Sequence, residues 1–309
     1  MTSACLWAGK RFSELVLDRG FGAANGVYTF NTEGLGILRD ARAKGLAAVM
    51  EQTIAPVEVE DRLLLEEADC FRGWTDRPRR DGFRSDLAAL ERAEWNEADT
   101  IVCGSEFVAA GIRKVGGPWE KCAVVPYGVD CHRGRQRARG EGPLRVLFVG
   151  GIRLRKGVQY LAEAGGMLPS HRFEFRLVGP IGLMNEGLRR LREHVQVMGP
   201  TPRSEMAEHW EWADVFVLPS LCEGSATVCY EAMGAGLPVV TTPNAGSVVR
   251  DGVEGFIVPI RDAEAIADRL DRLATEAGLL EAMSEAALKR AEEFTVAEYG
   301  KRLLAEVCR

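Results

Sequence analysis

Residues 218–240, LPSLCEGSATVCYEAMGAGLPVV, contain the segment that decides the fold of this chain. The apolar run at 215–218 predicts a buried strand, which a glycine-containing loop and a helix over 225–235 follow. A second apolar run at 237–241 predicts the next strand of the same sheet. This order of strand, helix and strand indicates a parallel α/β unit, in which ligands bind at the carboxyl ends of the strands.

The same alternation of strands and helices extends over most of the chain. Further strands are predicted at 46–50, 100–103, 121–126, 145–149, 173–178, 195–198 and 255–258. Helices are predicted at 35–45, 58–69, 84–98, 106–115, from about 157, at 185–193, 203–212 and 262–292, and from Thr295, where Glu298 completes a capping box. The residues before 46 do not predict a strand.

A segment rich in arginine and glycine, residues 131–143 (CHRGRQRARGEGP), interrupts this pattern and predicts a linker. We therefore expect one α/β domain over residues 1–130 and a second over residues 144–292. The last residues, 293–309, are expected to form a helix that packs back on the first domain.

Composition and charge exclude several classes of protein. The net charge of −6 argues against nucleic acid as the main partner. The eight cysteines include no C-x-x-C pair, which fits a reduced, cytoplasmic protein without a zinc ribbon. The four histidines lack metal-ligand spacing, so no metal site is predicted. The chain has neither a secretory signal pattern nor an apolar run long enough for a membrane-spanning helix.

Two acids and a glycine-rich turn are the candidates for chemistry. Glu223 precedes the predicted helix and Glu231 lies within it, so both could accept hydrogen bonds from sugar hydroxyls beside a phosphate at the helix start. The turn at 150–157 (GGIRLRKG) follows a strand of the same sheet and brings Arg153 and Lys156 to that edge, where cations stabilise a leaving diphosphate. The alternatives are a helix-surface charge at Glu231, a helix-dipole partner at Glu223 and a basic surface turn.

Three blocks of the C-terminal half resemble the donor-binding domain of family-4 retaining glycosyltransferases. That family has the GT-B fold, an α/β fold in which two Rossmann-like domains face a cleft. The blocks are FVGGIRLRKGVQYLAEA, FRLVGP and the long stretch from VQVMGP to EGFIVP, which together cover roughly residues 144–260. The spacing E-x7-E of Glu223 and Glu231 is the signature of the family. Residues 98–130 also resemble the end of its N-terminal, acceptor-side domain.

The resemblance implies a role for each matching residue. Glu223 contacts the donor sugar and supports its developing positive charge, Glu231 holds the ribose hydroxyls, and Lys156 binds the diphosphate. The other implied donor-binding residues are Gly150 and Gly151, the turn Gly199-Pro200-Thr201 beside the nucleobase, and Gly224, Ser225, Ala226 and Thr227, whose amides face the diphosphate. Transfer then retains the anomeric configuration, uses no metal or other cofactor, and leaves a nucleoside diphosphate.

The chain departs from the family in two places. The family often has an arginine where Gly151 stands, and Arg153 is taken as its substitute. The opening strand and glycine-rich loop of the acceptor-side domain have no counterpart before residue 46, so this domain is expected to be incomplete. After the strand at 46–50, where the family often has a histidine, the chain has Glu51 and Gln52, which become the acceptor-side candidates.

The resemblance thus implies a retaining, metal-independent glycosyltransferase that uses a sugar nucleotide and a saccharide or lipid-linked acceptor. The alternative is a non-catalytic nucleotide-sugar-binding or scaffold subunit. A sugar-nucleotide epimerase is a third hypothesis, which the E-x7-E segment disfavours. Residues 71–84 (FRGWTDRPRRDGFR) combine five arginines with aromatic rings. They predict either a solvated loop or peripheral contact with an acidic acceptor or with anionic lipids at the inner face of a membrane.

Overall fold

The structure is a computed structural model that describes residues 3–76, 82–130, 134–138 and 140–308. Residues 131–133 and 139 of the predicted linker and residues 77–81 of the basic aromatic segment lie outside the described residues. The chain divides into two compact units. The first contains Met1–Arg62, Pro78–Pro126 and Gly300–Arg309, and the second contains Leu63–Arg77 and Tyr127–Tyr299.

The first unit has a parallel sheet of four strands, in the order β1-β2-β3-β4. Its elements are α1 (Ser3–Arg19), β1 (Gly26–Phe30), α2 (Leu35–Ala43), β2 (Ala47–Gln52), the start of α3 (Val57–Cys70), α4 (Gly82–Glu97), β3 (Thr100–Cys103), α5 (Glu106–Lys114) and β4 (Cys122–Val124). Apolar side chains from the strands and helices form its core, among them Leu38, Met50, Trp95, Ile101 and Ile112. The strand order follows the chain order, as successive right-handed crossovers produce.

The second unit has a parallel sheet of six strands, in the order β10-β9-β8-β5-β6-β7. Its elements are β5 (Leu144–Val149), α6 (Val158–Met167), β6 (Phe173–Val178), α7 (Asn185–Leu191), β7 (Gln196–Gly199), α8 (Met206–Trp212), β8 (Val215–Leu218), α9 (Thr227–Gly234), β9 (Val239–Thr241), β10 (Gly255–Ile257), α10 (Ala263–Thr275), α11 (Leu279–Glu292) and the start of α12 (Val296–Val307). From β5 the chain adds β6 and β7 on one side of that strand, and then returns to add β8, β9 and β10 on the other side. The strand order therefore reverses between β5 and β8.

Residues 63–76 group with the second unit, and the side chains of Glu67 and Trp74 are buried there. Glu67 is fully buried and accepts hydrogen bonds from Gln159 and from the Tyr160 hydroxyl, both at 2.8 Å. The rings of Phe71 and Trp74 meet edge to face, and Phe71 meets Tyr160 in the same way. The expectation of a solvated or lipid-facing ring is wrong for Trp74, which is only 5% exposed. Trp74 instead belongs to the core cluster of the second unit, and Phe71 packs against that cluster.

Most predicted elements are present, but helix α1 was not predicted and three further regions differ. The chain has a strand before residue 46, contrary to expectation: β1 pairs in parallel with β2 along Gly26–Phe30. It is short and only partly buried, so its sequence lacks the apolar run that marked the other strands. The predicted helix 262–292 is two helices, α10 and α11, separated at Gly278, which has φ +76°. The first residues of the predicted helix 203–212 form a 3-10 turn before α8.

The capping box at the last helix is half confirmed, since the Thr295 hydroxyl accepts a hydrogen bond from the Glu298 amide at 3.2 Å. Within the described ranges of the chain, no helix has the length and apolarity needed to cross a bilayer.

Candidate active site

The loops after β5 and β8 lie at the point where the strand order of the second sheet reverses. β5 and β8 are neighbours, with Val146 opposite Val215 and Leu147 opposite Phe216. The helices that follow adjacent strands on either side of such a point pack on opposite faces of the sheet, which opens a crevice at the carboxyl edge. The candidate residues at 150–157 and 219–231 therefore belong to the part of the sheet where α/β proteins bind ligands.

The loop after β5 is held against the loop after β8 by a glycine. Residues Leu154–Lys156 form a 3-10 turn that ends at Gly157, which has φ +73° and precedes α6. A Cβ atom on Gly157 would lie 1.9 Å from the carbonyl oxygen of Pro219. The amide of Leu221 also donates to the Arg155 carbonyl at 2.9 Å. Only glycine permits this approach, which places Lys156 beside the second loop.

Glu223 is the charged centre of the site. It is 8% exposed, and its Oε1 lies 2.8 Å from the Lys156 Nζ while its Oε2 lies 3.2 Å from the Arg155 Nη1. The Ser220 hydroxyl donates to Oε1 at 3.3 Å. One carboxylate thus pairs with two partly buried cations, where water screens the attraction less than at the surface.

The loop after β8 is tied to the loop after β9 through neutral groups. The Glu223 amide donates to the Asn244 carbonyl at 3.0 Å, and the Asn244 side-chain amide donates to the Leu221 carbonyl at 2.8 Å. The Thr242 hydroxyl donates to the Ser220 carbonyl at 2.5 Å. These bonds fix the backbone on both sides of Glu223 while its carboxylate interacts with side chains.

The backbone amides of residues 224–227, which were predicted to face the diphosphate, differ in burial and in hydrogen bonding. The Ala226 amide donates to the Ala245 carbonyl at 3.0 Å, so this N–H is already committed within the protein. Ser225 is buried, and its hydroxyl contacts the Tyr230 hydroxyl at 2.7 Å and donates to the Gly246 carbonyl at 3.0 Å. Gly224 is buried and Thr227 is exposed as the first residue of α9. The helix start at Thr227 is therefore the accessible part of this segment.

Glu231 lies one turn into α9, and its side chain is half-buried. Burial raises the pKa of its carboxyl, and the charge of Arg203 acts in the opposite direction. Burial also raises the pKa of the Cys229 thiol to about 12, and the charges of Lys156, Glu223 and Glu231 act on the same pKa. The two acids of the E-x7-E signature and the lysine of the glycine-rich turn thus all act electrostatically on one buried thiol.

The predicted nucleobase turn follows β7. Gly199 has φ +78°, a backbone conformation that favours glycine, and Pro200 is exposed. The Thr201 hydroxyl lies 3.4 Å from the Nε2 of His209, and burial lowers the pKa of that imidazole. The Thr201 hydroxyl thus connects the turn to α8 through His209.

Arg153, the predicted second cation, is not at Glu223. It is exposed, and its side chain passes over Gly182, where a Cβ atom would lie 2.6 Å from the Arg153 Nε. Gly150 and Gly151 lie at the end of β5, and the Gly150 amide donates to the Val178 carbonyl at 2.9 Å. Arg155 is the arginine that contacts the Glu223 carboxylate. The sequence contained a signal for it, since Arg155 adjoins Lys156 in the same short turn.

The acceptor-side candidates lie at the end of β2 in the first unit. Glu51 is 4% exposed and accepts a hydrogen bond from the Tyr28 hydroxyl. Gln52 is fully buried: its side-chain amide donates to Glu91 at 2.9 Å, and its carbonyl accepts from the Trp95 indole at 2.9 Å. The side chain of Gln52 is therefore part of the core, where it joins β2 to α4.

Two buried acids on α4 were not predicted. Glu91 accepts from the Val57 amide at 2.9 Å, and Glu94 accepts from the amides of Thr32 at 2.8 Å and Gly34 at 2.9 Å. Burial raises the pKa of each carboxyl to about 7. Their positions share a helix face with Leu87 and Trp95, and this helical spacing could have identified them.

Among the described residues, no group of three or more histidine, cysteine, aspartate or glutamate side chains is arranged to hold a metal ion. The candidate site in the second unit instead combines acids with cations.

Comparison with known proteins identifies a family model and several relatives that match this chain. Residues 143–276 match the family model described as Glycosyl transferases group 1. The chain is 33% identical over 194 residues to the putative colanic acid biosynthesis glycosyltransferase WcaL of Salmonella typhimurium, which covers 57% of this chain and 48% of that protein. The chain thus spans about half the length of the curated relatives it matches.

Two solved structures share the fold at low sequence identity. Sucrose-phosphate synthase from Thermosynechococcus elongatus has a TM-score of 0.74 at 20% identity, with 96% of this chain and 77% of that chain covered. HepE of Anabaena in complex with UDP and glucose has a TM-score of 0.70 at 15% identity, with 98% and 80% covered. These likenesses confirm the α/β fold of the GT-B type. Over residues 143–276, this chain carries a domain of the glycosyl transferases group 1 family.

Proposed function

We propose that this chain is a retaining glycosyltransferase that moves a sugar from a nucleotide-diphosphate sugar to a saccharide or lipid-linked acceptor. The observation that supports it is the 2.8 Å contact between Glu223 and Lys156 at the reversal point of the second sheet. An acid beside a cation at such an edge suits a ligand in which a sugar adjoins a diphosphate. The name of the WcaL relative, colanic acid biosynthesis, favours a polysaccharide acceptor.

In the proposed donor complex, the diphosphate lies against Lys156 and the start of α9. Negative charge grows on the leaving diphosphate as its bond to the anomeric carbon breaks. Lys156 and the positive end of α9 then stabilise the transition state more than the ground state. Glu223 supports the positive charge that develops on the sugar.

The remaining residues of the second unit orient the nucleoside. Glu231, whose carboxyl is half-buried, accepts hydrogen bonds from the ribose hydroxyls. The turn Gly199-Pro200-Thr201 lies against the nucleobase, where its backbone groups contact the base edge. Both assignments place a neutral part of the donor beside groups that the protein holds rigidly.

The proposed reaction exchanges one bond at the anomeric carbon. Its bond to the diphosphate oxygen breaks, and the oxygen of an acceptor hydroxyl bonds to the same carbon on the same face. The hydroxyl proton leaves with the nucleoside diphosphate. No metal ion takes part in this proposal, so a chelator such as EDTA is expected to leave the rate unchanged.

The direct test is release of nucleoside diphosphate from a panel of sugar nucleotides with candidate saccharide acceptors. We expect Glu223→Ala to lower turnover about a thousandfold, because a charge stabiliser that acts at the transition state is lost. Glu285→Ala is the matched control, since this exposed acid pairs only with Lys289 among the contacts described. The anomeric configuration of the product, read by NMR, tests retention.

Full activity of a folded Glu223→Ala variant would eliminate the assignment. Tight binding of sugar nucleotides by the wild-type chain, without turnover for any acceptor tried, would favour the non-catalytic binding subunit instead.

A further inference from the structure

Glu223 neutralises the two cations nearest to the proposed diphosphate position. Its carboxylate contacts both Lys156 and Arg155. The side chain of Glu223 is 10% exposed, that of Lys156 is 15% exposed and that of Arg155 is 27% exposed. In such a poorly hydrated site, a cation without a partner is costly. The carboxylate therefore acts as the counter-ion of both cations in the ligand-free chain.

We propose that the diphosphate of the donor displaces the Glu223 carboxylate from Lys156 and Arg155, and that Arg155 is the second diphosphate-binding cation. The proposal rests on the proposed function, since it takes a diphosphate as the ligand. One carboxylate brings a single negative charge to two cations, whereas a nucleoside diphosphate brings at least two. The ligand is thus the better counter-ion, and the two anions compete for the same donors.

Arg155 is held in place by bonds that do not depend on Glu223. Its Nη1 donates to the Cys222 carbonyl at 2.8 Å, and its own carbonyl accepts from the Leu221 amide at 2.9 Å. Its guanidinium thus stays beside the loop when the carboxylate leaves. Arg153 lies over Gly182 and has no such anchor at the loop.

The exchange couples donor binding to the preparation of Glu223. While the carboxylate is paired with Lys156 and Arg155, it is neutralised and a poor stabiliser of positive charge. Once the diphosphate takes both cations, the carboxylate becomes available to the sugar. Only a ligand with a diphosphate therefore releases the acid.

Calorimetric titration with inorganic pyrophosphate and with UDP tests the exchange without any turnover. We expect Glu223→Gln to bind both probes about fivefold more tightly than the wild type, because a competing like charge is removed. Arg155→Gln should bind them about tenfold more weakly. Arg153→Gln is the matched control and should stay within about twofold of the wild type, because its side chain lies over Gly182.

Glu223→Asp provides a second route if Glu223→Gln does not fold. It keeps the charge but withdraws the carboxylate by one methylene from both cations, so tighter binding of pyrophosphate is again expected. Unchanged or weaker binding by both Glu223 variants would overturn the exchange, and so would a complete lack of pyrophosphate binding by a folded variant. A loss in Arg153→Gln but not in Arg155→Gln would overturn the assignment of Arg155.

These outcomes are separate from failure of the proposed function. Tighter pyrophosphate binding by Glu223→Gln would support the exchange even if the wild-type chain transferred no sugar. Conversely, transfer activity with unchanged pyrophosphate affinity in Glu223→Gln would support the function and reject the exchange.

Discussion

The carboxyl edges of the two sheets use their buried acids in opposite ways. In the second unit, Glu223 pairs with the side chains of Lys156 and Arg155, while neutral groups such as Asn244 hold the loops. In the first unit, Glu91 and Glu94 accept hydrogen bonds from backbone amides and hold the loops themselves. An acid that pairs with side chains can change partners when a ligand arrives. An acid that holds backbone amides cannot, because its release would disorder the loop.

The largest effect on stability is expected where the second edge depends on close backbone contact. Gly157→Ala should lower the free energy of unfolding by about 3 kcal/mol, because its Cβ would meet the Pro219 carbonyl at a positive φ. Turnover should fall as well, since Lys156 precedes this residue. Gly252 is the matched control: it has φ +75° with open space around it, so Gly252→Ala should cost about 1 kcal/mol. Equal losses in urea denaturation would show that the contact with Pro219 is unimportant.

The acids of the first edge should appear in the pH dependence of stability. The folded-state pKa of about 7 for Glu94 lies above the ordinary value of 4.5, so the folded chain binds this proton more tightly than the unfolded chain. Its contribution to stability is therefore fully present below about pH 4.5 and is lost as the pH rises to about 7. Relative to Glu94→Gln, the wild type should lose on the order of 2 kcal/mol of unfolding free energy between pH 5 and pH 8.

Glu97→Gln is the control for this titration, because Glu97 lies on the same helix but forms ion pairs with Arg39 and Arg42 near the surface. It should keep the pH dependence of the wild type. A Glu94→Gln variant with an unchanged pH profile of urea denaturation would show that this carboxyl does not titrate in the range.

The contrast between the two edges also explains what the sequence could predict. The apolar run Val215–Leu218 predicted a strand with the observed bounds, because a fully buried parallel strand needs no polar alternation. Phe173–Val178 was also predicted with the observed bounds, although Glu174 is exposed between buried phenylalanines. β1 was missed because a short, half-buried edge strand lacks such a run. The signature acids Glu223 and Glu231 and the cation Lys156 could be identified as candidates from the spacing of residues along the chain. Which arginine meets Glu223 depends on a single 3-10 turn, and neighbouring residues of such a turn point in different directions.

The buried acids of α4 show a second limit. Glu91 and Glu94 stand in a charged stretch, RSDLAALERAEWNEA, that resembles a solvated helix face. Their burial depends on amide donors from residues 32–34 and 57, which are distant in sequence. Helical spacing with Leu87 and Trp95 could place these acids on the buried face of α4, but the amides that they hold become visible only when the fold brings the loops together.

The smallest expected effects come from two asparagines that hold equivalent loops. Asn244 connects the loop after β9 to the loop after β8. In the first unit, the side-chain oxygen of Asn31 accepts hydrogen bonds from the Thr53 amide at 3.2 Å and from the Thr53 hydroxyl at 2.8 Å. These bonds connect the loop after β1 to the loop after β2. Asn244→Ala and Asn31→Ala should each lower the free energy of unfolding by about 1 kcal/mol, since each removes side-chain hydrogen bonds. Only Asn244→Ala should also weaken UDP binding, by about threefold, because the loop that it steadies contains Glu223 and leads into α9. Equal weakening of UDP binding by Asn31→Ala would mean that the first edge contributes to nucleotide binding. The assignment of nucleotide binding to the second edge alone would then be wrong.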